Sequence, residues 1–308
     1  MAKANGISRQ ARDDSVVPPL VVIVGETASG KSALALELAQ KFDGELICAD
    51  SWTVYKGFDV GTAKPSAADQ KIVPHHLLDV ASAQTGFNAV MFQQLAFAAI
   101  HDIHARGKLP ILIGGTGLYI DSVLYRYEFL PPTSVELRDE LNKLSLDELL
   151  VRAESQGLTT QGIDARNKRR VVRLIENEGR MPSRKPLREN TLILGMSMPR
   201  ETLHERIEQR VDTMIAAGLE DEVKQLADEY GWSSEPMKGI GYWQWKDYFA
   251  GARTAEETRA RIIKASMDLA KRQRTWFKRN ESIQWLITED KSEEAVDLLT
   301  TFLNKTTV

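Results

Sequence analysis

Residues 25–32 contain the clearest chemical pattern in the chain, in which two glycines with four residues between them are followed by a lysine and a serine. The apolar run 20–24 before them predicts a buried strand, and a helical run, 33–42, follows at once. In such a loop the glycines let backbone N–H groups turn inward, Lys31 adds positive charge, and the helix N-terminus adds its dipole. Ser32 offers a hydroxyl for Mg²⁺. The pattern predicts binding of a phosphate-bearing ligand.

Two further polar segments follow predicted strands. Asp50 and Ser51 come directly after the apolar run 45–49, and a glycine-rich turn with Thr116 follows the run 110–114. Because the carboxyl ends of parallel strands meet at one edge of a sheet, we expect both segments beside the phosphate-binding loop. A carboxylate there can act as a general base or bind Mg²⁺ through water, although Asp50 could also only cap a turn.

Arg206 and Arg210 lie one turn apart on a predicted helix. Arginines in such positions are usually surface ion-pair partners. One that reached a bound diphosphate would act as a cationic clamp, because the guanidinium group matches phosphate geometry.

Other metal-binding patterns are weak. Cys48 is the only cysteine, which excludes a disulfide framework and any cysteine-based zinc site. His75 and His76 are adjacent, so their side chains point to different sides, and no third ligand is suitably spaced. A structural or loop role for these histidines is favoured over a metal site.

Strands alternate with helices along most of the 308 residues, which predicts an α/β fold with a parallel sheet covered on both faces. The predicted strands are 20–24, 45–49, 110–114, 191–196 and 283–287, and the predicted helices are 32–42, 88–106, 201–229 and 255–279. Segment 130–190 interrupts this pattern and is interpreted as a helical insertion domain. The core domain is then 18–129 with 191–308, and the polar segment 1–17 is expected to be a disordered tail. No apolar run approaches the roughly 20 residues of a membrane span, so no membrane partner and a cytoplasmic location are expected.

The net charge of −3 conceals two strongly basic segments. Residues 164–190 contain nine Lys and Arg against four Asp and Glu, and residues 259–279 contain eight against one. Such segments in an otherwise acidic chain indicate a polyanionic partner, although a solvated helix face is the simpler explanation for any one of them.

Several motifs in the right order resemble the tRNA dimethylallyltransferase (tRNA isopentenyltransferase) family over roughly residues 20–290. The loop Gly25–Ser32 is similar to the family's G-P-T-A-S-G-K-[ST]. Further matches are Asp50-Ser51 with Val54–Gly57 and Asp59–Pro65, Pro74–Asp79, Gly114–Tyr119, Ile240–Tyr242, Ala270–Gln273 and Thr275-Trp276. The resemblance implies a P-loop NTPase-like parallel sheet with a small helical insertion.

The resemblance also implies an activity, the transfer of a dimethylallyl group from its diphosphate to N6 of the adenosine 3′-adjacent to the anticodon in tRNAs. Mg²⁺ would be the cofactor, held through Ser32, and dimethylallyl diphosphate and the tRNA anticodon stem-loop would be the partners of a monomeric enzyme. Asp50 would be the general base, and the catalytic set would be completed by Thr116, Lys31 and Arg210. The donor diphosphate would bind to Gly25, Thr27, Ala28, Ser29, Gly30, Lys31, Ser32 and Arg210. The tRNA would contact Asp50, Ser51, Trp52, Thr53, Thr116, Arg138, Arg169, Arg170, Arg173, Gly241, Tyr242, Lys271, Arg272 and Gln273.

Four positions depart from the family's usual residues. Glu26 replaces a proline in the loop and is expected to point to solvent, since it would otherwise place an acid near an anionic site. Trp52 and Thr53 differ from the family's side chains, so contacts to flanking bases are expected to differ. Met267 replaces an arginine, which is expected to weaken one tRNA contact.

Three other functions use some of the same residues. A small-molecule P-loop kinase would share the loop and an Asp50-like base but leaves both basic segments unexplained. An adenylate isopentenyltransferase would share the early motifs but has no need for a basic insertion. A non-catalytic RNA-binding module would not need Lys31, Ser32 and Asp50 at one edge.

Overall fold

The computed structural model describes residues 17–131, 133–287 and 290–306. They form two compact units, one of Tyr125–Leu187 and the other of the chain before and after it. The smaller unit overlaps the predicted insertion, 130–190. Residues 1–16 of the expected disordered tail lie outside the described residues. Val17 is described, and its carbonyl accepts a 2.9 Å hydrogen bond from Asn190 Nδ2.

The larger unit is built on a parallel sheet. Its strands are β1 (Leu20–Gly25), β2 (Gly44–Ala49), β3 (His75–His76), β4 (Leu109–Gly114), β5 (Thr191–Met196) and β6 (Gln284–Trp285). Their order across the sheet is β3-β2-β4-β1-β5-β6, and every pairing is parallel. β1, β2 and β4 are buried along their whole length. Strands buried on both faces need no polar alternation, which is why they are nearly continuous apolar runs in the sequence.

Twelve α-helices are present in the described residues. They are α1 (Lys31–Lys41), α2 (Ala67–Ile72), α3 (Ala89–Ala105), α4 (Gly117–Leu124), α5 (Val135–Lys143), α6 (Leu146–Ser155), α7 (Lys168–Glu176), α8 (Arg200–Ala216), α9 (Leu219–Tyr230), α10 (Trp245–Phe249), α11 (Ala255–Phe277) and α12 (Lys291–Thr306). Apolar side chains of α1 and α12 pack with those of β1, β4 and β5 in one cluster. A second cluster joins α8, α9 and α11 to the segments that follow β2. The predicted α/β sheet flanked by helices is confirmed.

The structure corrects two predicted elements. The single helix predicted over 201–229 is two helices, α8 and α9, because Gly218 between them has a φ of +94°. Glycine adopts this left-handed conformation without a Cβ penalty, so it ends one helix and starts a new direction. The strand predicted over 283–287 is only Gln284–Trp285, and β3 and α12 were not predicted.

The smaller unit contains α5, α6 and α7 around its own apolar core, which includes Leu141, Leu149 and Val171. A carboxylate, Glu176, lies at the edge of this core with its side chain fully buried. Arg138 donates to it through Nε at 2.6 Å and Nη2 at 3.1 Å, and Arg173 donates at 2.9 Å. Burial alone would raise the pKa of Glu176, but these hydrogen bonds outweigh burial and hold the pKa below its ordinary value.

None of the described helices is long and apolar enough to cross a membrane.

Candidate active site

The loop between β1 and α1 is shaped by close packing and by left-handed backbone. At Gly25, where φ is +148°, an added Cβ would lie 2.1 Å from the carbonyl oxygen of Met196, so no other residue fits. Ala28 and Gly30 also have positive φ, at 60° and 94°. Gly30 precedes the first residue of α1 and offers no side-chain cap. The first N–H groups of this helix therefore face the loop without a capping side chain, as an anion site requires.

A cavity of about 710 Å³ opens at this edge of the sheet. It brings the loop together with residues from β2, β4, α8 and α11. Among the predicted site residues, its lining includes Thr27, Ala28, Ser29, Gly30, Lys31, Ser32, Asp50, Trp52, Thr53, Arg210, Gly241, Arg272 and Gln273. The expected meeting of the Asp50 segment with the phosphate-binding loop is thus present in the structure.

Two cations lie on the loop side of the cavity. Lys31 Nζ donates to the backbone oxygen of Glu26. Arg210 donates through Nη1 to Thr27 Oγ1 at 3.2 Å and through Nη2 to the Thr62 oxygen at 3.3 Å. Burial and the neighbouring Arg210 lower the pKa of Lys31 to about 7, against the opposing pull of Asp50 and Glu26. Burial likewise lowers the pKa of Arg210, which Asp50 opposes. Both shifts report desolvated positive charge, which a bound polyanion would neutralise.

Asp50 is held by the turn that it caps. Its Oδ1 accepts backbone N–H groups from Trp52 at 2.8 Å and Thr53 at 3.3 Å. No described residue donates a hydrogen bond to Oδ2. The capping role considered from the sequence is therefore real, but it uses only one carboxylate oxygen and leaves the other for chemistry in the cavity.

Thr116 joins the two turns that follow β2 and β4. Its Oγ1 accepts the backbone N–H of Ser51 at 3.1 Å and donates to the Ser51 hydroxyl at 3.4 Å. Thr116 thus positions the residue next to Asp50. Its predicted catalytic and tRNA contacts, and that of Ser51, stay predictions.

The expectation that Glu26 points to solvent is wrong. Its side chain is 2% exposed, and its carboxylate pairs with Arg274 of α11, through Nε and through Nη2 at 3.0 Å. The acid does not repel an anion in the loop because a guanidinium neutralises it. Arg274 directly follows the matched Ala270–Gln273 motif, but no local sequence pattern links it to Glu26.

Gln273 links the loop to the turn after β4. Its Oε1 accepts the N–H of Thr27 at 2.7 Å, and its Nε2 donates to the Gly115 oxygen at 3.1 Å. Both ends of the amide are therefore engaged within the protein, whereas the neighbouring Lys271 and Arg272 are exposed. Lys271, Arg272 and Gln273 are all predicted to contact tRNA, and of these three only Lys271 and Arg272 have an exposed charge.

The segment 59–61 and Tyr242 are held together beside the cavity by one carboxylate. Glu222 of α9 accepts the backbone N–H groups of Asp59, Val60 and Gly61 at 2.8–3.1 Å. It also accepts the Tyr242 hydroxyl at 2.8 Å, and Tyr242 is 0% exposed. Gly241 lines the cavity, and the tRNA contacts predicted for Gly241 and the buried Tyr242 stay predictions.

Trp52 and Thr53 form part of the cavity wall near Asp50. The Trp52 indole donates to the Pro236 oxygen at 3.0 Å and covers Gly239, where an added Cβ would lie 2.1 Å from Nε1. The Thr53 hydroxyl is buried without a hydrogen-bond partner among the described residues. Met267 packs against the cluster of α8, α9 and α11.

Arg206 also lines the cavity, although it is not in the site deduced from the motifs. A Cβ added to Gly30 would lie 3.5 Å from Arg206 Nη1, which places this guanidinium beside the loop. In the sequence, its spacing of one helical turn from Arg210 indicated that it could lie near the same ligand.

The histidines serve structural contacts. His75 Nδ1 lies 2.7 Å from the Val73 oxygen, and His76 Nε2 lies 2.7 Å from Glu45 Oε2. Arg106 also pairs with Glu45, and these partners lower the pKa of Glu45 to about 2.

Burial raises the pKa of the Cys48 thiol to about 12, so Cys48 is an unreactive core residue. In the part of the chain that the structure describes, no group of three or more His, Cys, Asp or Glu side chains could hold a metal.

The family model described as IPP transferase matches residues 53–280. This chain belongs to the IPP transferase family. A tRNA dimethylallyltransferase of Anoxybacillus flavithermus is 40% identical over 283 residues, covering 88% of this chain and 91% of the relative. One from Roseiflexus sp. is also 40% identical and covers 85% and 90%. The family resemblance seen in the motifs is confirmed.

Solved structures of the family have the same fold. The tRNA isopentenylpyrophosphate transferase of Bacillus halodurans superposes with a TM-score of 0.74 at 34% identity, covering 94% of this chain and 98% of that one. A eukaryotic dimethylallyltransferase acting on tRNA gives a TM-score of 0.77 at 25% identity, covering 94% and 80%. The family's P-loop NTPase-like fold is therefore the fold of this chain.

Four arginines of this IPP transferase that are predicted to contact tRNA lie in the smaller unit. Arg138 and Arg173 hold the buried Glu176, as described above, so part of their charge is used within the unit. Arg169 and Arg170 are exposed on α7. All four predicted arginines are therefore at least partly exposed, and two of them, Arg138 and Arg173, also pair with the buried Glu176.

Proposed function

We propose that this chain transfers a dimethylallyl group from dimethylallyl diphosphate to N6 of the adenosine 3′-adjacent to the anticodon in tRNAs. The observation that carries the proposal is the cavity, which combines an anion-binding loop and two desolvated cations with the Asp50 carboxylate. Membership of a family whose relatives are named tRNA dimethylallyltransferases supports the same reaction.

The donor end of the reaction needs positive charge. As the C1–O bond of the allylic donor breaks, negative charge builds on the departing diphosphate, and cation character builds on the allyl group. Lys31, Arg210 and the N–H groups at the start of α1 would stabilise the diphosphate. Arg206 lies beside the same loop and would contribute a further donor.

The acceptor end needs a base and an unstacked nucleotide. The adenine N6 amine is a poor nucleophile because its lone pair is delocalised into the ring. Asp50 Oδ2 would take the amine proton as the C1–N6 bond forms, while Oδ1 keeps the turn in place. The adenosine must leave its stack to reach this carboxylate, at a cost of a few kcal/mol.

The donor set fits Mg²⁺. Ser32 and Asp50 line one cavity and offer a hydroxyl and a carboxylate oxygen, and Mg²⁺ typically binds through few protein oxygens, with phosphates and waters completing its shell. Ser32 would hold the ion. When bound, it would neutralise charge on the diphosphate.

Exposed basic residues would contact the tRNA backbone. Arg169 and Arg170 supply them in the smaller unit, and Lys271 and Arg272 of α11 supply them in the larger unit. We further propose that the enzyme acts as a monomer in the cytoplasm, with the anticodon stem-loop as its polyanionic partner.

The test is to incubate the purified chain with labelled dimethylallyl diphosphate and either unmodified tRNA or AMP. We expect label on N6 of the tRNA adenosine, release of diphosphate, and no product with AMP. Labelled AMP would instead indicate an adenylate isopentenyltransferase. Transfer of label from γ-labelled ATP to a small molecule, with no prenyl transfer, would indicate a kinase.

A further inference from the structure

The first residue after Gly25 in the phosphate-binding loop is fixed at both its side chain and its backbone. The Glu26 carboxylate is fully paired with Arg274, whose Nη2 also donates to the Met198 oxygen at 2.9 Å. The Glu26 carbonyl accepts hydrogen bonds from Lys31 Nζ and from the Ser29 N–H at 3.3 Å. A shift of Glu26 would therefore move the acceptor that orients Lys31.

Two consecutive residues of α11 hold two consecutive residues of the loop. Arg274 binds the side chain of Glu26, and Gln273 accepts the N–H of Thr27. The loop is thus attached to a helix outside its own strand–loop–helix unit. Arg274 is also the group that cancels the negative charge of Glu26, which would otherwise lie, unpaired and buried, next to an anion site.

We propose that Glu26 and Arg274 are positioning residues for the donor diphosphate, because their ion pair fixes the loop and the orientation of Lys31 from α11. This inference rests on the proposed function for the identity of the diphosphate. It goes beyond that function because Glu26 departs from the proline of the matched loop, and Arg274 lies between two matched motifs without belonging to either.

The decisive measurement is the affinity for inorganic pyrophosphate, with Mg²⁺, by calorimetry on the full chain. Glu26→Ala removes the pair, and we expect pyrophosphate affinity to fall by about tenfold with tRNA affinity unchanged. Glu26→Gln keeps an oxygen that Arg274 can bond, so its affinity should stay within about threefold of wild type. Arg274→Met leaves a buried negative charge and should weaken pyrophosphate binding at least as much as Glu26→Ala.

Asp212→Ala is the matched control, because it breaks an exposed ion pair between α8 and α11, with Arg259, and should leave pyrophosphate affinity unchanged. A purely structural pair would lower the melting temperature of Glu26→Ala without changing pyrophosphate affinity, and this result would overturn the proposal. A loss of tRNA affinity alone would overturn it too. If Arg274→Met does not fold, the comparison of Glu26→Ala with Glu26→Gln still decides. Since pyrophosphate binding requires no prenyl transfer, failure of the proposed function would be seen separately, in the wild-type transfer assay.

Discussion

Single side chains at the site have two kinds of role, the proposed contacts with substrate and the observed contacts with their own neighbours. Asp50 combines the two, since Oδ1 caps its turn and Oδ2 is the oxygen that we propose takes the amine proton. Thr116, Gln273 and Tyr242 all make hydrogen bonds to neighbouring residues, which their sequence motifs alone do not reveal, and their contacts with substrate stay predictions. A sequence motif contains side chains that support a site as well as side chains that react in it, and the motif does not tell the two apart.

Asp50→Asn separates the two tasks of this residue. The amide oxygen can still accept the backbone N–H groups of Trp52 and Thr53, so the turn and tRNA affinity should be preserved. The amide cannot take a proton, and we expect the single-turnover rate to fall about 10²–10⁴-fold. A rate within tenfold of wild type would remove Asp50 from the role of base.

The ionisation of Lys31 predicts a pH dependence of donor binding. Burial and Arg210 lower its pKa to about 7, so the charged form, which is the form proposed to bind the diphosphate, decreases as pH rises above 7. Donor affinity should therefore fall by up to about tenfold per pH unit between pH 7.5 and 8.5. Titration of binding at several pH values tests this. Lys31→Arg stays charged throughout this range and should give a flatter profile, and a flat wild-type profile would contradict the assignment.

Among the secondary structure elements, the long buried strands were predictable from the sequence, whereas the two-residue strand β3 was not. β1, β2 and β4 are apolar runs that end in turn residues, and this pattern identifies a strand without help from tertiary structure. β3 has only two residues, so it depends on pairing with Leu46 and Ile47 of β2. Likewise, the burial of Glu26 depends on Arg274, 248 positions away, and no local pattern reports such a partner.

Within the smaller unit, Arg138→Ala should destabilise α5 and α7. It leaves the buried Glu176 with Arg173 alone, and the loss of hydrogen bonds to a buried charge costs about 1–3 kcal/mol. Denaturant unfolding should show this loss. Arg152→Ala removes a more exposed pair with Glu140 and should cost less than about 1 kcal/mol. Equal stability of the two variants would mean that Glu176 does not depend on Arg138.

On the scale of the whole molecule, positive charge is concentrated in two segments of an otherwise acidic chain. The structure shows that some of these charges also form ion pairs within the protein. In the smaller unit Arg169, Arg170 and Arg173 are all exposed on α7, and Arg173 also pairs with the buried Glu176. A count of basic residues from the sequence therefore includes charges that also bind acids within the protein, such as Arg138 and Arg173.

Neutralising Arg169 and Arg170 together should weaken tRNA binding and flatten its salt dependence. Each lost phosphate contact changes the slope of log K against log salt by roughly 0.7–0.9, so two should change it by about 1.5. Salt titrations of tRNA affinity measure this, and pyrophosphate affinity should not change. Lys143→Ala with Arg152→Ala removes the same charge from α5 and α6 as a control. Identical salt slopes for both double variants would mean that α7 has no special role.

The Glu222 network has a consequence for where anions can bind. Three successive backbone amides, from Asp59 to Gly61, converge on one point, as they would around a phosphate. The protein fills that point with a carboxylate of its own, from α9. These three N–H groups are therefore not open to a phosphate, and the proposed donor would have to place its diphosphate on the loop between β1 and α1.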